Sequence, residues 1–316
     1  DTDVTAQPRL AVPQAASPTP RSQHSTAKLS LNHNRMSGCL TDGRAILAHR
    51  WLGANNPRVR IDAHQHFWRY DPASYPWIDS RMQRIARDFL PDDLQPLLAK
   101  HNFEGAISVQ VRSSLEETKF MVELAQKHDC VKGVVGWADL CADNLDDVLD
   151  EICQDKELCG LRHIVQDEPD DQFLLRNDFQ DGVRKLADRG LVYDILIYPR
   201  QLDAAVSFAA ALPDQPFVLD HLAKPDIKNQ NQDAWQLGFD GMAQFEQVSC
   251  KVSGMVTEAK WHEWQAEDFR HYLDSALEAF GPDRLLFGSD WPVCLLAANE
   301  YEDVYQLVAD WAKALS

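Results

Sequence analysis

The stretch Asp62-Ala63-His64-Gln65-His66-Phe67 closes an apolar run with two histidines two residues apart. Along a strand, residues i and i+2 point to the same side, so the two imidazoles face one way. Two neutral imidazoles converging from one strand suit a divalent ion such as zinc. That ion takes histidine nitrogen at about 2.0 to 2.1 Å and needs further ligands plus an open position for water. A pair of hydrogen-bonded core histidines is the plain alternative. Against it stand three further titratable residues, each ending a separate apolar run: His163 in Gly160-Leu161-Arg162-His163-Ile164, His221 in Leu219-Asp220-His221-Leu222, and Asp290 in Gly288-Ser289-Asp290-Trp291. Titratable side chains rarely lie beside buried strands without partners, so these endings point to one shared site.

Such a convergence needs strands whose ends meet. From Val59 onward eight short apolar runs recur, at 59–67, 105–111, 131–137, 158–165, 192–198, 217–222, 248–253 and 285–289. Helical patterns lie between them. Leu145, Val148, Leu149, Ile152 and Cys153 follow the 3.6-residue period, as do Phe269, Leu273, Ala276, Leu277 and Phe280. Ser114 with Glu117 reads as a capping box for a helix running to about His128, and Gly190 and Gly281 stand where helix C-caps belong. Strands separated by helix-sized inserts must be parallel neighbours joined by crossovers. The expected fold is therefore an α/β (β/α)₈ barrel over residues 58–316, with its active site at the C-terminal ends of the strands. An open doubly wound sheet is the runner-up, weakened by the lack of a G-x-G-x-x-G turn after the first strand.

At the same rim Arg112 and Gln110, two residues apart after the second run, are candidate substrate contacts, with a barrel-rim salt bridge the alternative for the arginine. Arg162 ranks lower, because its side chain must face away from that of His163. Trp68, Trp77, Trp137, Tyr198 and Trp291 stand near strand ends and offer apolar walls to a sugar ring, with Trp291 the one expected beside the metal. His101, His128, His262 and His271 have no converging partners and read as surface residues.

The net charge of −18 argues against a nucleic-acid partner, which needs basic surface. No run of about 18 apolar residues is present, so no membrane span is expected, and the first 57 residues lack the apolar core of a secretory signal. The expectation is a cytoplasmic protein. Seven cysteines, odd in number and without a CxxC pair, read as free thiols. Residues 1–57, rich in Ser, Pro, Gln, Asn and Thr, read as disordered or loosely attached, with no ligand role for His24, His33 or His49. The chain starts without methionine and ends within a helical pattern, so both ends read as those of a fragment, truncated at the C-terminus. The sequence leaves a homo-oligomer open.

The runs DAHQHFWRYDPASYPWID, GLRHIVQDEPDD, LDHLAKP and LFGSDWPV together resemble the amidohydrolase superfamily, amidohydrolase 2 type. Within it they are most similar to the sugar-lactonase branch, which hydrolyses aldonolactones such as L-fuconolactone or L-rhamnonolactone. The resemblance spans about residues 60–316 and implies His64, His66 and Asp290 as metal ligands, with His163 a further ligand or a substrate contact. It implies Asp290 as general base and His221 as the group that stabilises the oxyanion or bonds the attacking water. No lysine ends the fourth or fifth strand to bridge two ions, so one divalent metal at most is expected, zinc for preference, and the branch includes members that work without one. The implied activity is a hydrolase that opens a small-molecule lactone with activated water. A decarboxylase or amide hydrolase on the same barrel is the first alternative, and a non-catalytic ligand-binding barrel the second.

Overall fold

The computed structural model describes residues 60–315. Residues 1–57 and their three histidines lie outside the described residues, so the expectation for that segment stays one. The described residues form eight strands: β1 (Ile61–Gln65), β2 (Gly105–Val109), β3 (Val131–Gly136), β4 (Leu158–His163), β5 (Val192–Ile195), β6 (Phe217–Leu219), β7 (Val248–Val252) and β8 (Leu285–Phe287). They pair in parallel in sequence order. A helix follows each strand in turn: α1 (Pro91–Lys100), α2 (Leu115–Lys127), α3 (Leu145–Ile152), α4 (Asn177–Ala187), α5 (Leu202–Ala211), α6 (Asp233–Ala243), α7 (Glu267–Phe280) and α8 (Tyr301–Lys313). This is the (β/α)₈ architecture that the alternation of runs and helical patterns predicts, and it rules out the open sheet.

The barrel closes through the segment that follows β8. His66 N donates to Trp291 O at 2.7 Å, and Asp290 N donates to His64 O at 2.8 Å. Asp62, fully buried, reinforces the seam: its carboxylate accepts from the amides of His64 and Ser289 and from the Tyr301 hydroxyl of α8. Burial pushes its carboxyl up to about 6.

The helices follow their sequence signals with one instructive departure. On α7, Phe269, Leu273, Ala276 and Phe280 are buried at helical spacing, and Gly281 ends the helix at φ 67°. On α2, Ser114 Oγ accepts from Glu117 N, which is half of a capping box. The reciprocal half is missing, because the Glu117 carboxylate turns to the amides of Val111 and Arg112 at 3.0 and 2.8 Å. His101 is not on the surface. It is 8% exposed, stacks on Tyr301 and lies 3.0 Å from Glu302, held by aromatic neighbours from α8 that its local sequence does not reveal.

Inside the barrel the layer beneath the strand ends is ionic. Lys251 of β7 contacts Asp194 of β5 and lies 3.0 Å from Asp220, at the end of β6. Arg162 of β4 lies 2.8 Å from the other Asp220 oxygen and donates to the Gln110 carbonyl. Two cations and two carboxylates, none more than 4% exposed, thus cancel one another inside the strands. Isolated charges could not be buried there. Among the described residues no helix is long and apolar enough to cross a membrane.

Candidate active site

Above this layer His64, His66, His221 and Asp290 meet. His64 and His66 point the same way from the end of β1, with ring centroids 4.9 Å apart, and the His221 ring lies 4.3 Å from that of His64. Gly288 makes the approach possible, since a Cβ there would fall 2.6 Å from that of His64. Asp290 Oδ1 stands 3.1 Å from His66 Nε2 and 3.8 Å from His64 Nε2.

His221 reaches the site through an unusual backbone. Four successive residues after β6, His221, Leu222, Ala223 and Lys224, have φ of 55°, 53°, 57° and 50°, and Asp290 has 57°. Non-glycine residues pay about 1–2 kcal/mol each for that left-handed conformation, a strain that surrounding contacts must hold. Here Trp235 Nε1 donates to the Leu222 carbonyl at 2.6 Å, and Leu222 and Ala223 are wholly buried. Gly254 leaves the room: a Cβ on it would lie 2.4 Å from His221 Nδ1, which instead meets Ser253 Oγ at 2.8 Å.

The electrostatics separate the groups. Burial lowers His221 to about 4 and His64 well below its usual value, so both rings are neutral at neutral pH. Burial alone would raise Asp290, but His221, His66 and His64 outweigh it and hold the carboxyl well below the usual carboxylate range. Asp290 is therefore an anion beside the neutral His64 and His221 rings.

Hydrogen bonds fix which ring nitrogen faces the anion. His66 Nδ1 lies 2.7 Å from the Val109 carbonyl, which can only accept, so Nδ1 carries a proton, and Nε2 lies 3.1 Å from Asp290 Oδ1. His64 Nδ1 faces Asp220 Oδ1 at 3.4 Å, leaving its Nε2 as acceptor for Arg162 at 3.3 Å. The two imidazole nitrogens and the carboxylate oxygen crowd within 4.8 Å of one another. A divalent cation relieves that crowding, and the donor set fits zinc. A second grouping, His64 with Asp220 and His221, fits a metal less well, because both Asp220 oxygens already serve Arg162 and Lys251.

A cavity of about 390 Å³ opens over these groups, lined among others by His66, Arg162, His221, Asp290, Lys224 and Glu258. Arg162 is among the lining residues and His163 is not. The strand faces alternate as expected, but the register turns Arg162 inward and His163 outward. His163 instead stacks on Phe173, accepts from Trp137 Nε1 at 3.2 Å and meets Glu168 at 2.7 Å. Among the described residues it belongs to neither grouping that could hold a metal ion and is not in the lining of this cavity.

The expected contacts Gln110, Arg112 and Trp291 also stand outside the cavity lining. Gln110 Nε2 is spent on the Arg162 carbonyl at 3.0 Å, and the Arg112 guanidinium lies over the Tyr75 ring at 5.3 Å. Trp291 is 3% exposed and packs edge-on against Phe89 and Phe67, so it is a core residue beside Asp290. Of the other aromatic candidates, Trp77 and Tyr198 do line the cavity. Asp220 and Lys251 were missed as site residues, although a lysine inside an apolar strand run is itself the signal of a buried partner.

A sequence profile of the amidohydrolase family matches residues 61–314. The chain belongs to the amidohydrolase family. Among relatives of this amidohydrolase, the L-fucono-1,5-lactonase of Burkholderia multivorans is 44% identical over 266 residues, 81% of this chain and 89% of the relative. That of Burkholderia ambifaria is 34% identical over 240 residues, 76% and 82% of the two chains. The crystal structure of a Burkholderia multivorans amidohydrolase with bound zinc matches this amidohydrolase with a TM-score of 0.77 at 44% identity, covering 81% of this chain and 92% of that one.

Proposed function

We propose that this amidohydrolase opens a sugar-derived aldonolactone, of the L-fuconolactone or L-rhamnonolactone class, to its aldonic acid. The observation that carries the reading is the ionised Asp290 beside neutral His64 and His221 in a cavity of about 390 Å³, in a chain 44% identical to an L-fucono-1,5-lactonase. His64, His66 and Asp290 would hold one divalent ion, zinc by likeness to the zinc-bound relative. Such an ion, when bound, polarises the carbonyl and makes water more acidic.

The chain's own groups carry the rest. Asp290 takes a proton from the attacking water as the water oxygen bonds to the lactone carbonyl carbon. His221, its Nδ1 accepting from the Ser253 hydroxyl, presents Nε2–H to the oxygen where negative charge develops, with the Arg162 guanidinium nearby in the same wall. As the ring C–O bond breaks, Asp290 returns its proton to the departing ring oxygen, and the product leaves as hydroxy acid.

The test is hydrolysis of a panel of aldono-1,4- and 1,5-lactones, followed by pH indicator, for wild type and Asp290→Asn with and without chelator. We expect wild-type turnover and a kcat lower by about 10²–10⁴-fold in Asp290→Asn. No turnover on any lactone would refute the reading, and the response to chelator measures the part played by the ion.

A further inference from the structure

The cavity carries a second charge pair that the reaction above does not use. Lys224 closes the left-handed turn begun by His221, and its ammonium lies 5.4 Å from the centroid of the Tyr198 ring. Glu258 arrives from the segment after β7, with Oε1 3.6 Å from Lys224 Nζ. That separation is wider than a hydrogen bond. Among the described residues neither side chain has a hydrogen-bonding partner at closer range, and they are 15% and 21% exposed, in the cavity wall. The ammonium keeps its three N–H donors and the carboxylate its lone pairs for a third party.

A hydroxyl group answers both, since it accepts from an ammonium while donating to a carboxylate. Beside the pair Trp261 also lines the cavity, its ring fixed by an Nε1 bond to the Thr257 carbonyl at 2.9 Å, and offers an apolar face to ring C–H groups. From this arrangement we infer that Lys224 and Glu258 determine specificity by reading hydroxyl groups on the lactone ring, an inference that rests on the lactonase reading. A ring without hydroxyls would cover both charges and satisfy neither, which costs binding in the transition state. A ring bearing a carboxylate would set a third negative charge beside Glu258 and Asp290. The class selected is therefore the neutral, polyhydroxylated lactone.

The experiment compares kcat/KM on a polyhydroxylated aldonolactone with that on δ-valerolactone, which has the ester ring and no hydroxyls. It uses wild type, Lys224→Met, Glu258→Gln and the charge-balanced double variant. We expect wild type to prefer the hydroxylated ring by about 100-fold or more, and each variant to lower that ratio by about 10-fold or more, chiefly through KM for the hydroxylated ring. The double variant does not recover the ratio. If the pair serves only to brace the turn, both substrates lose rate in parallel, the ratio stays constant and the inference fails while lactone hydrolysis stands. A wild type that opens neither ring overturns the lactonase reading and this inference together.

Discussion

Glu117 is 3% exposed, with one carboxylate oxygen on the Val111 and Arg112 amides and the other without a hydrogen-bond partner. Burial pushes its carboxyl up to about 7 from 4.5, against the opposing pull of those amides. A folded-state value above the unfolded one means that the native state holds the proton more tightly. The group therefore costs nothing below the unfolded value, and its penalty grows as pH rises from about 4.5 to about 7. Glu117→Gln keeps an acceptor for the amides and carries no charge. It is expected to be more stable than wild type by about 2 to 3 kcal/mol at pH 8 and nearly equal at pH 4.5, read from urea unfolding at the two pH values. An advantage independent of pH would show that Glu117 is not ionised by burial-limited titration. At this scale much of the candidate site is legible: strand-end position alone predicts that His64, His66, His221 and Asp290 converge, and they do. Which of two adjacent polar residues, Arg162 or His163, faces the barrel axis is not legible, because a run of apolar residues shows that a strand exists but not its facing.

The eight strands and the periodic helices could be read because their patterns are local, but the turn from His221 to Lys224 could not. Left-handed backbone is ordinarily signalled by Gly, Asn or Asp, and His-Leu-Ala-Lys carries no such mark. Contacts from distant elements impose it: the Trp235 indole of α6 on the Leu222 carbonyl, and the space vacated by Gly254 after β7. Gly254 itself has φ 61°, so Gly254→Ala suffers twice, from its own backbone and from collision with His221 Nδ1. The variant is expected to lose more than about 1 kcal/mol of stability, by urea unfolding. It should also lose about 10²-fold or more in kcat on the best lactone, because His221 can no longer keep its place. A variant with full kcat would detach His221 from the chemistry.

For the molecule as a whole, the ionic layer links β4, β5, β6 and β7, with His64 of β1 resting on it through Asp220. Burial would raise Asp220, but Lys251, His64 and Arg162 hold it well below the usual carboxylate range. Lys251→Met removes one cation and leaves Asp194 and Asp220 facing each other inside a closed barrel. The expected loss is about 3–5 kcal/mol in urea unfolding, most of it recovered when Asp194→Leu is added. A loss under about 1 kcal/mol would mean that water enters the layer and screens it. The strained turn after β6 has a different kind of consequence. It bears His221 and, three residues on, Lys224, so the points from which the two proposed substrate contacts spring are spaced by constrained main chain. With those two proposed roles the turn serves as a ruler for the lactone: enlarging or shrinking the ring moves a hydroxyl off the mark.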